Sequence, residues 1–288
     1  MFICVIGVGT NIINIVVFIQ IEIRDSVTVA FFSLAVADFG FVFLTIVYQV
    51  LESLELIARL TANSSLLQLS YFFNYTSFVF VDISILITVF TSLQKCACVA
   101  IPFLFKKVFT FYRSTVVIST IYVLVVIAYI PIFVGSALGR GSFFEPPLTM
   151  YRVALPFSAI VLLTGSLIIT NIKLLEASRI RQGMTSRHDN SNLSTNELKV
   201  IKAIVIISAM FVACNLPDIV SMLAEYLFPA FNFDGAFCEE FRLVRAAQNV
   251  LAAINSTATI FVYYKYNNKY RARFLVLYGR FWCQAERN

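Results

Sequence analysis

Apolar residues run through this chain in long blocks, and the polar positions inside those blocks fall at helical intervals. Met1–Ile21 holds no charged residue, Ser26–Leu51 only Asp38, and Tyr71–Pro102 only Asp82 and Lys95. Ser114–Gly139 and Val153–Ile172 hold none, Ala203–Ala224 only Asp218, and Ala246–Tyr264 none. A helix needs about 20 apolar residues to cross about 30 Å of hydrocarbon, and each block supplies roughly that length. None shows the period-two alternation of barrel strands. The pattern predicts an all-α fold, a seven-transmembrane helix bundle over 1–266. Its spans are expected at about 1–21, 27–50, 69–99, 115–137, 151–174, 200–226 and 241–264. A short amphipathic C-terminal surface helix is expected over 267–288. There Tyr270, Phe274, Leu277, Tyr278 and Phe281 recur at helical spacing, flanked by Lys269, Arg271, Arg273 and Arg280.

The third block organises the others. Ser77, Ser84, Thr88, Thr91 and Lys95 are spaced by seven, four, three and four, which puts them on one stripe of a 3.6-residue helix. Lipid offers a hydroxyl no partner, so the stripe should face other helices and this span should lie centrally.

Composition agrees. The chain is 59% hydrophobic and 13% charged, with mean hydropathy +0.84, outside the range of water-soluble domains. Basic residues set the expected orientation. One side would hold Arg24, Lys95, Lys106, Lys107, Arg113, six cations from Lys173 to Lys202 and six after Tyr264, seventeen of the 22. The amino end is then outside and the tail cytoplasmic. The net charge of +6 is a topology signal and calls for no nucleic-acid partner. Met1 opens the first span with no small-residue cleavage site and no outer tail, so a truncated amino terminus is expected. Of the six cysteines only Cys4 and Cys238 fall near the outer surface, so no disulfide framework is expected.

Several polar landmarks sit in a fixed order. Span one reads GTNIINIVVF around Asn11, and span two reads RDSV…LAVADF around Asp38. Pro102 follows Lys95 by seven residues, Pro156 and Pro217 interrupt spans five and six, and span seven ends in NSTATIFVYYKYNNKYRARF. An intramembrane carboxylate costs several kcal/mol unless paired or wet, so Asp38 is a functional candidate. In these landmarks the chain resembles the rhodopsin-like family of G-protein-coupled receptors, and the RDSV…LAVADF segment is similar to the mollusc chemosensory receptors. The resemblance implies that Asp38 and Ser84 help hold a sodium ion. It also implies that Gln94-Lys95-Cys96 stands for the acid-Arg-Tyr triplet and that Tyr263 is the Tyr of Asn-Pro-x-x-Tyr. Glu197, at the ionic-lock Glu, would form an inactive-state latch with Lys95. The chain departs where Cys214-Asn215-Leu216-Pro217 lacks the toggle aromatic and where Thr259-Ile260 replaces Asn-Pro. Ser70 replaces the third-span cysteine. Lys95 keeps a charge but loses the planar donor fork of Arg.

Candidate sites follow. Asp38, Ser84, Asn255, Ser256 and Thr259 offer a hard cation its oxygen ligands; the alternative is a hydrogen-bonded core without an ion. Ligand contacts are expected in the outer half, at Ser77, Phe78, Val81 and Asp82 of span three, Arg152 of span five, Asn215, Asp218 and Met222 of span six, and Arg245 and Asn249 of span seven. With Glu225 these carry both signs of charge, suiting an amino acid or short peptide. The alternative is mutual salt bridging. By the resemblance, the chain would be a receptor for an extracellular chemical cue that activates a heterotrimeric G protein. Alternatives are a neuropeptide receptor, a non-signalling protein of the same fold, and more remotely a transporter or channel. Lys95, the loop Phe103–Arg113 and the ends of spans five and six would meet the G protein. Asn63-Ser-Ser65 is an outer glycosylation sequon, and Cys283 beside Trp282 is a candidate for palmitoylation or a free thiol. His188, the only histidine, falls in a polar loop, Arg179–Asn196, so Ser/His/Asp catalysis and a Cys/His metal site lack their parts.

Overall fold

The computed structural model describes the backbone of residues 1–59, 66–137, 141–184, 195–228, 230–232 and 235–285. Within those helices the side chains of 55–59, 66–68, 102–103, 106, 136–137, 141–150, 152, 174–175, 177–184, 195–204, 211 and 280–285 are not described. The described residues are all-helical. In chain order the helices are α1 (Phe2–Gln20), α2 (Ser26–Arg59), α3 (Leu66–Ala100), α4 (Pro102–Val108) and α5 (Phe111–Ala137). Then come α6 (Gly141–Met184), α7 (Thr195–Leu227), α8 (Cys238–Tyr266) and α9 (Asn268–Ala285).

Among the described residues, six helices are long and apolar enough to cross a membrane: α1, α2, α3, α5, α6 and α7. The helix expected as the seventh span, α8, has the length but not the hydropathy. Gln248, Asn249, Asn255, Ser256, Thr257 and Thr259 dilute it. It packs on α7, α1 and α2, and Gln248, Ser256 and Thr259 are buried there, while Asn249 is exposed. Two further expectations need correcting. Part of the stretch read as the loop Phe103–Arg113 is helical: Pro102 sits in the first turn of α4, where its fixed φ is pre-set and its missing N–H costs nothing. The stretch read as a loop from Arg179 is helical through Met184, because a helix leaving hydrocarbon keeps its backbone hydrogen bonds and has no reason to stop at the interface.

Short connections make neighbours antiparallel. Asp25 starts α2 by accepting the N–H of Val27 (3.1 Å), the N–H of Thr28 (2.8 Å) and the Thr28 hydroxyl (2.8 Å), the work of an N-cap. Helix α3 packs against α2, α4, α5, α6 and α7, the central place its stripe predicts. Ser77, Ser84, Thr88, Thr91 and Lys95 are all buried. Most of the hydroxyls are nonetheless satisfied within their own helix. Ser77 donates to Asn74 O (2.7 Å), Thr88 to Ser84 O (2.8 Å) and Thr91 to Ile87 O (2.7 Å). Small side chains bring backbones close: a Cβ on Gly40 would lie 2.5 Å from the Phe80 ring.

Lipid tails are as apolar as leucine, so side-chain packing holds the helices together here. One core joins Ala30, Leu34 and Ala37 of α2 to Val79 and Ile83 of α3 and Val125 and Tyr129 of α5. A second joins Phe18 of α1, Phe31 of α2, Ile207 of α7, Tyr263 of α8 and Tyr270 of α9. The apolar face of α9 lies on that cluster through Phe274, Leu277 and Tyr278. Val123, Leu124, Ile127 and Ile130 of α5 stay exposed, as a lipid-facing helix requires.

Candidate functional site

The polar residues of the spans collect in three places. The first is mid-bundle. Asp38 of α2 is buried (3% exposed) and accepts the Ser84 hydroxyl of α3 at 2.9 Å. Ser256 of α8 donates its hydroxyl to the backbone carbonyl of Asp38 (3.3 Å). Asn11 of α1 donates to Gly7 O (3.0 Å) and to Ser256 O (3.3 Å). Hydrogen bonds therefore link four helices around Asp38, with Ser84 alone of these on its carboxylate. Beside it lies a cavity of about 20 Å³, with Asp38, Ser84, Asn215, Asn255 and Ser256 as its polar wall and Val81 and Ile85 among its apolar residues. That volume suits a single water or a small ion. One carboxylate among neutral oxygens is a hard, weakly charged donor set, which fits a monovalent cation better than a transition metal. Of the residues expected around an ion, Thr259 stands apart: its hydroxyl donates to Ser256 O (3.2 Å). Among the described residues no three His, Cys, Asp or Glu side chains cluster.

The second place is the end where α7 hands over to α8. Arg245 donates to Glu225 Oε2 at 2.8 Å and Asp218 Oδ1 at 3.3 Å, with its guanidinium 5.1 Å from the Phe241 ring centroid. The three charges are mostly buried, at 25–31% side-chain exposure, and carry one excess negative charge. Phe241 also meets the Phe231 ring edge-on at 5.3 Å. Phe231 lines an apolar groove of about 390 Å³ with Ala224, Leu227, Phe228, Ala230 and Phe237. Phe241 thus stands between the charged cluster and a residue of the groove wall. Met222 is buried and Asn249 exposed; the inward residue is Gln248, which donates to Pro217 O (3.2 Å) and to the Ser221 hydroxyl.

Other expected ligand contacts point elsewhere. Ser77 is tied to its own helix, and Phe78 packs into the α2–α3–α5 core. Asp82 accepts the Tyr129 hydroxyl of α5 at 2.7 Å, and Tyr151 of α6, edge-on to Tyr129 at 6.2 Å, lies beside the same carboxylate. The side chain of Arg152, another of the expected ligand contacts, lies outside the described residues.

The third place is the opposite end of α3. Gln94 is fully buried and donates to the Ser114 hydroxyl of α5 (3.0 Å); Lys95 is buried beside it and Cys96 half-buried. Glu197 and Cys283 lack described side chains and Asn63 lacks a described backbone, so the Lys95 latch, the acylation site and the sequon all lie outside the described residues. Tyr263 is buried against Phe18, Phe31 and Tyr270, and its hydroxyl has no partner among the described residues. Next to it is a pair absent from the expectations. Asn14 of α1 bonds Asn11 (3.3 Å) and accepts the Tyr270 hydroxyl (2.6 Å). The three-residue spacing of Asn11 and Asn14 was the available signal for a shared face. The groove, by contrast, left no polar pattern to read.

No protein-family profile matches the chain, and no curated protein matches it.

Proposed function

We propose that the chain is a seven-span receptor of the rhodopsin-like type, with α8 as its seventh span, its amino end outside and its tail in the cytoplasm of the plasma membrane. An extracellular chemical cue binds at the α7–α8 end, and a heterotrimeric G protein engages the end that carries Lys95. One observation carries this reading. Asn11, Asp38, Ser84 and Ser256, far apart in sequence, meet in a single polar core linking α1, α2, α3 and α8. Buried polar groups in lipid persist where they serve a site or a switch.

The ligand-end chemistry supports a molecule with both charged and apolar parts. An ammonium group would answer the excess carboxylate of Asp218 and Glu225, and an apolar or aromatic body would fill the groove past Phe231. The Asp38 cavity would hold a sodium ion through Asp38, Ser84, Asn255 and Ser256. The bound ion would neutralise the carboxylate and tighten the helices around it. Ligand binding would favour a state in which α7 moves outward and bares the Lys95 end.

The test is expression with a second-messenger readout, screened against amino acids and short peptides. A responding ligand whose potency falls at least about tenfold in Arg245→Ala supports the reading. Lys95→Arg should raise coupling, since it restores the planar donor fork. Absence of any response in both the unaltered chain and the Lys95→Arg variant would favour a receptor-fold protein that does not signal.

A further inference from the structure

The tail helix α9 is joined to the bundle by more than its apolar face. The Tyr270 ring sits against Phe18 (5.2 Å), Tyr263 (5.7 Å) and Phe274 (6.2 Å), which aims its hydroxyl at Asn14. That hydroxyl donates to Asn14 Oδ1 at 2.6 Å. With its oxygen so engaged, Asn14 turns its amide nitrogen to Asn11 Oδ1 (3.3 Å). Asn11 must then present its own nitrogen to Gly7 O and Ser256 O. Ser256 donates in turn to Asp38 O and lines the small cavity. The donors run in one direction, from α9 through α1 to α8 and α2. Flipping either carboxamide would set oxygen against oxygen, because the Ser256 and Gly7 carbonyls accept only. Asn14 and Tyr270 are fully buried, so water offers them no substitute partner.

We infer that Asn14 and Tyr270 are positioning residues that couple the docking of α9 to the arrangement of helices around the Asp38 cavity. This rests on the reading of that cavity as a cation site. Thermodynamic linkage makes the effect reciprocal: a cation that favours the present arrangement of Asp38 and Ser256 also favours a docked α9.

The experiment uses the full chain in lipid nanodiscs, in sodium chloride and in choline chloride at equal ionic strength. Two quantities are followed: the melting midpoint, and amide hydrogen exchange of residues 268–279. In the unaltered chain, sodium should raise the midpoint and slow exchange in that segment at least about fivefold, the lower end of typical site–site couplings. Tyr270→Phe and Asn14→Leu should keep the sodium-dependent midpoint but lose the difference in α9. Tyr278→Phe, which removes a hydroxyl from the same helix outside the chain of bonds, should keep both. Asp38→Asn should abolish both. Should Tyr270→Phe fail to fold, Asn14→Leu interrogates the same link from α1. Persistence of the sodium effect on α9 in Asn14→Leu or Tyr270→Phe overturns the inference. A midpoint that responds to sodium while α9 does not overturns the coupling and leaves the cavity reading standing. A midpoint indifferent to sodium removes the cavity reading, and the inference with it.

Discussion

Replacing Tyr129 by Phe deletes one hydroxyl from the interior of the bundle and leaves the ring in place. That hydroxyl donates to Asp82 at 2.7 Å, a separation in the charge-assisted range for O–H···O⁻. Tyr129 and Asp82 are both buried, at 0% and 4% exposure, so water does not take over the lost bond. Hydrogen bonds to charged groups contribute about 1.5–3 kcal/mol. Tyr151 remains against the same carboxylate, which puts the expected loss in the lower part of that range, about 1.5–2 kcal/mol. For a chain of this size that lowers the melting midpoint by about 3–6 °C. The assay is thermal unfolding in detergent, run as a double-mutant cycle with Asp82→Asn. The pair should show a coupling of about 1 kcal/mol or more, because removing the acceptor leaves the hydroxyl little to lose. A loss at or below about 0.6 kcal/mol, the mean for hydrogen bonds between membrane helices, would refute the charge-assisted bond. Additivity within about 0.5 kcal/mol would refute the contact itself.

Gly40→Val places carbon where the Phe80 ring now lies, 2.5 Å from the first added atom, and should cost about 1–3 kcal/mol in the same unfolding assay. Phe80→Ala added to it should recover part of that loss; further destabilisation would contradict the close α2–α3 approach. At Asp25, burial pushes the carboxyl pKa up, but the Thr28 N–H and hydroxyl, Lys269 and the Val27 N–H outweigh it and leave the value below the usual range. The bonded form is therefore fully stabilising above about pH 4–5 and is lost as pH falls through the depressed folded value. Asp25→Ala should cost about 1 kcal/mol at neutral pH, as for other N-caps, and nearly nothing in strong acid. Unfolding curves for the two forms that stay parallel down to about pH 2 would show that Asp25 does not cap α2.

The order of most of the helices, and which face of α3 is buried, could be read from one dimension. Long blocks nearly free of charge predicted the six helices of spanning length because lipid tolerates little else, and the stripe from Ser77 to Lys95 predicted a central α3 because its period is the helix's own. Asp38 and Ser84 meet as expected. The opposed charges near Pro217 and at Arg245 also come together, as a mutual ion-pair cluster. The weakly apolar α8 shows where hydropathy stops being informative: a helix sheltered by neighbours can carry polar residues that a lipid-facing one cannot.

Partnership across helices was decided by crossing angles and axial offsets, which periodicity does not encode. Periodicity could place Asp82 off the stripe, but not choose Tyr129 as its partner. One residue is about 100° of rotation, enough to turn Gln248 inward and leave Asn249 exposed, although both lie a turn from Arg245. Asn14 and Tyr270 stand 256 residues apart, and their bond exists only because α9 folds back under α1. Local chemistry determined which faces had to be hidden; three-dimensional packing chose which hidden group meets which, since a buried donor is satisfied only by an acceptor that other helices bring within about 3 Å.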